Sequence, residues 1–301
     1  MRIVSLLGSA TEIVYELGLD DHLVGISHEC DFPASALRLP RVSRPRFDPV
    51  GLTSGDIDAA VRRCMEEFGG VYEVDRELLG ELRPDLVLTQ AVCEVCAVPT
   101  GSVEDAVATL PRRVEVVSLD AHTIDGIFGT IRQVAEAAGR RNRGMTAEAR
   151  LRKRLDDVTE AVRPWPQPRV LMLEWLDPPF APGHWVPEMV ALAGGENLIG
   201  RARERSEQVG WEQAGGFDPD VLLVEPCGFD LEQAAADAAV AESRLRAAAP
   251  RAFAERAWLL HSAWFSRSGP RVVEGVETLA RVLHPGAFPE DPNPRIARRW
   301  P

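Results

Sequence analysis

Four of the five cysteines, Cys30, Cys93, Cys96 and Cys227, follow segments that read as buried strands. Thiolates are soft ligands for zinc, iron–sulfur clusters and other thiophilic metals. The spacing of Cys93-Glu94-Val95-Cys96 lets two sulfurs reach one ion or cluster. The other reading is of small, partly buried cysteines, or of a redox pair at Cys93 and Cys96. Cys64 falls on the apolar face of a helical pattern and reads as core. There is no second C-x-x-C, which argues against an ordinary zinc ribbon. In His28-Glu29-Cys30-Asp31 several potential ligands stand side by side, and His28 and Glu29 are candidate ligand contacts.

A third group is aromatic. Glu174-Trp175, His184-Trp185 and Trp264-Phe265 all lie at strand ends or helix starts of the second half. They suggest a stacking wall for a large planar ligand; packing is the alternative, and Trp165, Trp211, Trp258 and Trp300 are assigned to it. Ser9-Ala10-Thr11-Glu12 reads as a capping box. Free backbone N–H groups around Ser9 and Thr11 would face an anion or carbonyl if they do not simply cap the helix. Were the cysteines to hold a cluster, Glu29, Glu94 and Glu174 would be acid/base candidates. There is no phosphate-binding G-x-x-x-x-G-K-[ST], dinucleotide G-x-G-x-x-G, hydrolase G-x-S-x-G or H-E-x-x-H motif.

These residues need elements to hold them. Short apolar runs bounded by turn signals alternate with helical periodicity, the pattern of α/β units. Strands are expected at Ile3–Leu7, Leu23–Ile26, Leu86–Thr89, Val114–Leu119, Val170–Leu173, Val221–Val224 and Trp258–His261. Helices are expected over Thr11–Leu17, Asp56–Phe68, Asp75–Leu82, Pro187–Ala193, Asp230–Ala248 and Pro270–Leu283. A long helical stretch from Thr123 to Val162 breaks near Gly139–Gly144. Arg83-Pro84-Asp85-Leu86-Val87-Leu88 and Asp218-Pro219-Asp220-Val221-Leu222-Leu223 echo one another. The fold class is therefore α/β: two Rossmann-like lobes, 1–120 and 168–301, joined by a helical segment, 121–167. A ligand would sit between the lobes, outside the carboxyl ends of the strands. A helical connector also predicts little relative motion of the lobes.

Composition narrows the partners. In 301 residues, 34 Lys and Arg face 46 Asp and Glu, a net charge of −12 that argues against nucleic acid. No apolar run reaches the roughly 18 residues of a membrane span. Ile3–Leu7 is too short for a signal-peptide core, so a cytoplasmic chain with reduced thiols is expected, or a periplasmic or extracellular one if a leader was removed.

The chain resembles the cobalamin and iron-siderophore binding proteins of ABC importers. The resemblance rests on Ile3-Val4-Ser5-Leu6-Leu7-Gly8-Ser9-Ala10-Thr11-Glu12-Ile13, Leu23-Val24-Gly25 and Arg83-Pro84-Asp85-Leu86-Val87. It looks most like a cytoplasmic cobalamin-binding-protein-like branch, through His28–Pro33, Cys93–Cys96, Leu173–Pro179, Gly183-His184-Trp185 and Phe265-Ser266-Arg267. Gly8 stands where that family usually has Pro, and the cysteines are not a feature of its exported corrinoid receptors. The resemblance implies two lobes on a rigid helix, a non-enzymatic binding role, a corrinoid such as cobalamin or another metal-containing cofactor as ligand, and an ABC permease as partner if the chain is exported. The reading from the cysteines, an iron–sulfur or zinc metalloprotein with or without enzymatic activity, stands beside it.

Overall fold

The computed structural model describes residues 1–90 and 100–300. The first half runs β1 (Ile3–Ser5), α1 (Gly8–Glu16), β2 (Leu23–Gly25), β3 (Ser43–Pro45), α2 (Ser54–Phe68), β4 (Tyr72–Val74), α3 (Arg76–Leu82), β5 (Leu86–Thr89), α4 (Thr100–Ala108) and β6 (Glu115–Ser118). Four strands make a parallel sheet in the order β2-β1-β5-β6, and β3 pairs antiparallel with β4 beside it. Both central strands, β1 and β5, are buried throughout, as a sheet covered on both faces requires.

Next come α5 (Ile124–Ala137) and the 22-residue α6 (Arg141–Val162), which is ~33 Å long at 1.5 Å per residue. Gly139, at φ +65°, ends α5 in the left-handed conformation that favours glycine. Gly144 has a different role. A Cβ there would stand 2.6 Å from the Ala135 Cβ, so its bare backbone lets α6 fold back against α5.

The second half runs β7 (Arg169–Leu173), β8 (Trp175–Leu176), β9 (Pro179–Ala181), α7 (Val186–Leu192), β10 (Glu196–Asn197), β11 (Glu207–Gln208), α8 (Trp211–Ala214), β12 (Val221–Val224), α9 (Leu231–Val240), α10 (Glu242–Ala248), α11 (Pro250–Glu255), β13 (Ala257–Leu260), α12 (Val272–Leu283) and β14 (Ala297–Arg299). Its main sheet has the order β10-β7-β12-β13-β14, parallel except for β14, and β11-β9-β8 form a small antiparallel sheet. An apolar cluster runs without a break from Ile3 and Leu86 of the first lobe through Leu151 and Leu155 of α6 to Val170 and Val221 of the second.

The sequence echo is also structural. Asp85 Oδ2 accepts from Arg2 N at 2.7 Å, while Asp85 N donates to Arg2 O at 2.8 Å. In the other lobe Asp220 Oδ2 accepts from Arg169 N at 2.8 Å and Asp220 N donates to Arg169 O at 2.8 Å. Each Asp thus pins the register of its strand against the neighbouring one, β5 on β1 and β12 on β7. The hydrogen bond from the backbone N–H holds each carboxyl below its usual range.

Two expectations need correction. The expected capping box at Ser9–Glu12 is absent: α1 starts at Gly8, its N-cap is Leu7, and no side chain caps it. Ser9 and Glu12 turn instead toward Ser268 and Arg271 of the second lobe, which take over their hydrogen bonding. The single helix expected over Asp230–Ala248 is two, α9 and α10, that meet at Ala241; Asp230 caps the first, with Gln233 completing a capping box.

Candidate functional site

The turn after β1, the 27–33 loop after β2 and the loops after β12 and β13 meet between the lobes. At the centre lie two arginines from the second lobe. Arg267 donates to Asp31 Oδ1 at 2.5 Å and to the Glu29 carbonyl at 3.1 Å, and lies 3.8 Å from Glu12. Arg271 donates to Glu12 Oε1 at 2.5 Å and approaches Asp31 at 3.4 Å. The Arg271 guanidinium also lies 4.7 Å from the Phe32 ring centre and 4.5 Å from that of Trp264, so rings from opposite lobes flank one planar cation. Two glycines permit this approach. Gly8 faces the Arg267 guanidinium, and a Cβ on Gly269 would stand 2.8 Å from Glu12 Oε2.

The charges respond to this packing. Burial pushes the Glu12 carboxyl up, against the opposing pull of Arg271. Burial also acts on Asp31, yet the Arg267 and Arg271 guanidiniums hold its carboxyl below the usual range. For Glu29 burial is likewise outweighed, by the hydrogen bond and charge of His28, and its pKa falls.

The anticipated residues divide by environment. His28 bonds Ser43 Oγ through Nδ1 at 2.8 Å, meets Glu29 through Nε2 at 3.2 Å and packs against Tyr72. Thr11 is fully buried, with its hydroxyl 2.9 Å from Ser5 Oγ and 3.0 Å from Cys30 Sγ. Burial pushes the Cys30 thiol up to about 11, so with no metal bound it is a neutral thiol at neutral pH. Ser9 meets Ser268 at 3.5 Å across the lobes. Trp264 donates to Glu274 Oε2 at 2.8 Å and remains half-buried, while its neighbour Phe265 has no exposed surface. Trp185, also buried, donates its indole N–H to the Phe265 carbonyl at 2.6 Å. Half-buried Trp175 packs against Phe229, and Cys227 N donates to the Glu174 carbonyl at 3.0 Å. His184 meets His122.

Cys93 and Cys96, with Glu94, lie outside the described residues. Among those described, no group of three or more His, Cys, Asp or Glu side chains is arranged to hold a metal ion. Cys30 and Cys227 therefore bring no such set together. No helix among the described residues is long and apolar enough to cross a membrane.

Arg267, Arg271 and Glu225 were not among the anticipated site residues. The arginines carry a signal that was there to read, two cations framing Ser268-Gly269-Pro270 after an apolar strand. Glu225 ends the wholly apolar run Val221–Val224, and a carboxyl there with no exposure is the kind of buried polar group that calls for a reason. Ser266 Oγ donates to its Oε1 at 2.7 Å, and its Oε2 has no hydrogen-bond partner among the described residues. Burial, reinforced by Cys227 and Glu174, raises its pKa well above the usual range. A carboxyl whose pKa is raised on folding contributes full stability below its unfolded value of about 4.3 and loses it as pH rises toward the folded value. Glu225→Gln keeps an acceptor for Ser266 and cannot ionise. The urea midpoint of the wild type should therefore fall more steeply between pH 5 and pH 8 than that of the variant; parallel curves would show that Glu225 ionises freely.

Comparison with known proteins fits this geometry. A family described as periplasmic binding protein matches residues 3–255. A vitamin B12-binding protein of Vibrio cholerae is 26% identical over 287 residues, covering 94% of this chain and 88% of its own. An ABC transporter substrate-binding lipoprotein of Bacillus subtilis is 23% identical over 96% of this chain and 82% of its own. Among solved structures, the periplasmic vitamin B12 binding protein of Vibrio cholerae superposes with a TM-score of 0.69 at 23% identity, covering 96% of this chain and 98% of that one. A periplasmic heme binding protein from Pseudomonas aeruginosa gives 0.72 at 22%, covering 98% and 96%. At these identities the structural likeness carries the fold: two α/β lobes.

Proposed function

The chain belongs to the periplasmic binding protein family, and from that premise we propose that it is the substrate-binding component of an ABC importer, holding a metal-carrying tetrapyrrole, specifically a corrinoid, between its lobes. The observation that carries this reading is the Phe32–Arg271–Trp264 stack. One guanidinium packs against aromatic rings supplied by opposite lobes. Aromatic rings and guanidiniums gathered where the lobes meet suit the face of a large planar molecule and the amide or carboxylate groups on its rim.

The vitamin B12-binding relatives, similar over nearly the whole chain, favour a corrinoid within that class. A permease partner follows from the same reading, as does a place outside the cytoplasm, where the relatives described as periplasmic proteins or as a lipoprotein belong. The cytoplasmic location expected from the N-terminus finds no support in these relatives. Nor does an iron–sulfur or zinc enzyme find any among the described residues.

The test is optical. Protein incubated with aquocobalamin, and separately with hemin, is passed through a desalting column and its visible spectrum recorded. We expect corrinoid colour retained at about one equivalent, and binding about tenfold weaker in Trp264→Ala, the scale of one lost aromatic contact. Uptake of hemin alone would replace the corrinoid while keeping the class of ligand. Neither colour retained at micromolar protein would overturn the reading.

A further inference from the structure

His122 stands between β6 and α5, at the start of the connecting segment, and His184 precedes α7 in the second lobe, 62 residues apart in sequence, yet their Nδ1 atoms stand 3.0 Å apart. The ring centres are separated by 5.1 Å. His122 is exposed and His184 half-buried, so the pair is open to solvent on one side.

Both histidines are held in place. His184 has φ +52°, in the left-handed region that non-glycine residues seldom occupy. Two backbone hydrogen bonds keep it there: His184 N donates to the Glu204 carbonyl at 2.6 Å, and Arg203 N donates to the His184 carbonyl at 2.7 Å. Arg203 is itself left-handed, at φ +72°. Conformations of this kind persist where the surroundings enforce them, and they concentrate at binding sites. The next residue, Trp185, is anchored in the core through its indole N–H. From the connecting segment, Ile124 N donates to Glu188 Oε2 at 2.8 Å, tying the start of α5, two residues beyond His122, to α7.

The separation of the nitrogens has chemical meaning. Two imidazole nitrogens each ~2.0–2.1 Å from one ion stand roughly 2.9 Å apart at a right angle and roughly 3.3 Å apart at the tetrahedral angle. The observed 3.0 Å, a distance that an imidazole–imidazole hydrogen bond also spans, lies within this range, so both nitrogens can reach one Cu²⁺ or Ni²⁺ ion. We propose that His122 and His184 form a two-imidazole site for a borderline transition-metal dication, which joins the start of the connecting segment to the second lobe while water completes the coordination. Binding at a metal requires neutral imidazole. Burial, with the positive charges of His122 and Arg205 nearby, lowers the pKa of His184 and so favours that form. Arg203, the other cation beside it, is paired with Glu188 at 3.3 Å.

The experiment uses full-length untagged protein, titrated with NiCl₂ by calorimetry at pH 7.5 and with CuSO₄ by electron paramagnetic resonance. The chain has six histidines, so variants locate the signal. We expect one tight equivalent in the wild type, at least thirtyfold weaker binding in both His122→Ala and His184→Ala, and fewer coupled nitrogens in the Cu²⁺ spectrum of each variant. His122→Asp, which retains a ligand at the exposed position, should recover much of the affinity. Should His184→Ala fail to fold, the His122 pair of variants decides alone. Absence of a one-equivalent site, or binding unchanged in His122→Ala, would overturn the proposal.

Discussion

Replacing Arg271 with alanine is expected to lower the stability of the protein by about 3–5 kcal/mol, the scale found when one partner of a buried ion pair is removed. The Glu12 side chain is 2% exposed and that of Arg271 10%, so water cannot replace the lost partner. Arg267, at 3.8 Å, is too distant from Glu12 to take over the hydrogen bond. The deficit should also depend on pH. Burial already raises the Glu12 pKa, and loss of Arg271 raises it further, so at low pH the carboxyl is neutral and the missing cation matters less. The gap between wild type and variant in urea midpoint should therefore be larger at pH 7.5 than at pH 5. Glu12→Gln combined with Arg271→Met, which removes both charges, should recover most of the loss. Equal deficits for the single and double variants would show that the pair contributes nothing beyond side-chain packing.

Phe265→Ala should be of comparable size, also ~3–5 kcal/mol, because a large aromatic side chain with no exposed surface leaves a cavity when truncated. Its ring lies 3.4 Å from where a Cβ on Gly275 of α12 would stand, and its carbonyl receives the Trp185 indole. The comparison with Trp264→Ala is informative, since the two residues are neighbours in sequence. Phe265→Ala should reduce the unfolding midpoint sharply while folded protein still retains colour. Trp264→Ala should weaken ligand retention with a smaller loss of stability. Reversed effects would place Phe265, and not Trp264, against the ligand.

Most of the frame was legible in the residues because its strands are short apolar runs between strong stops. Leu86–Thr89 and Val221–Val224 have the bounds their sequence suggests, each following a Pro-Asp stop. Local signals failed where tertiary contact took precedence. Ser9-Ala10-Thr11-Glu12 has the pattern of a capping box, but the second lobe supplies better partners for Ser9 and Glu12 than the helix end does. Ala241 carries no breaker residue, so the turn between α9 and α10 left no trace in the sequence. At the site, residue type identified Trp264 and His28 as candidates but could not show which aromatic side chains the core would consume. Phe265 and Trp185 have the same sequence credentials as Trp264 and are buried. The ion cluster was the least accessible: it joins Glu12 to Arg271 across 259 residues, and no local pattern specifies such a partner.

The two Asp bolts at the strand starts bear on how the chain assembles. In the first lobe the bolt joins Arg2 to Asp85, closing a loop of 83 residues; in the second it joins Arg169 to Asp220, closing one of 51. Loop-closure entropy grows with the logarithm of length, so the difference is only ~0.4 kcal/mol. The same central strand pairing is thus within nearly equal reach of both halves, and neither must wait for the other to set its register. Two nuclei of similar cost can form side by side and meet through the shared apolar cluster along α6, leaving the long-range ion pairs as the last contacts to close.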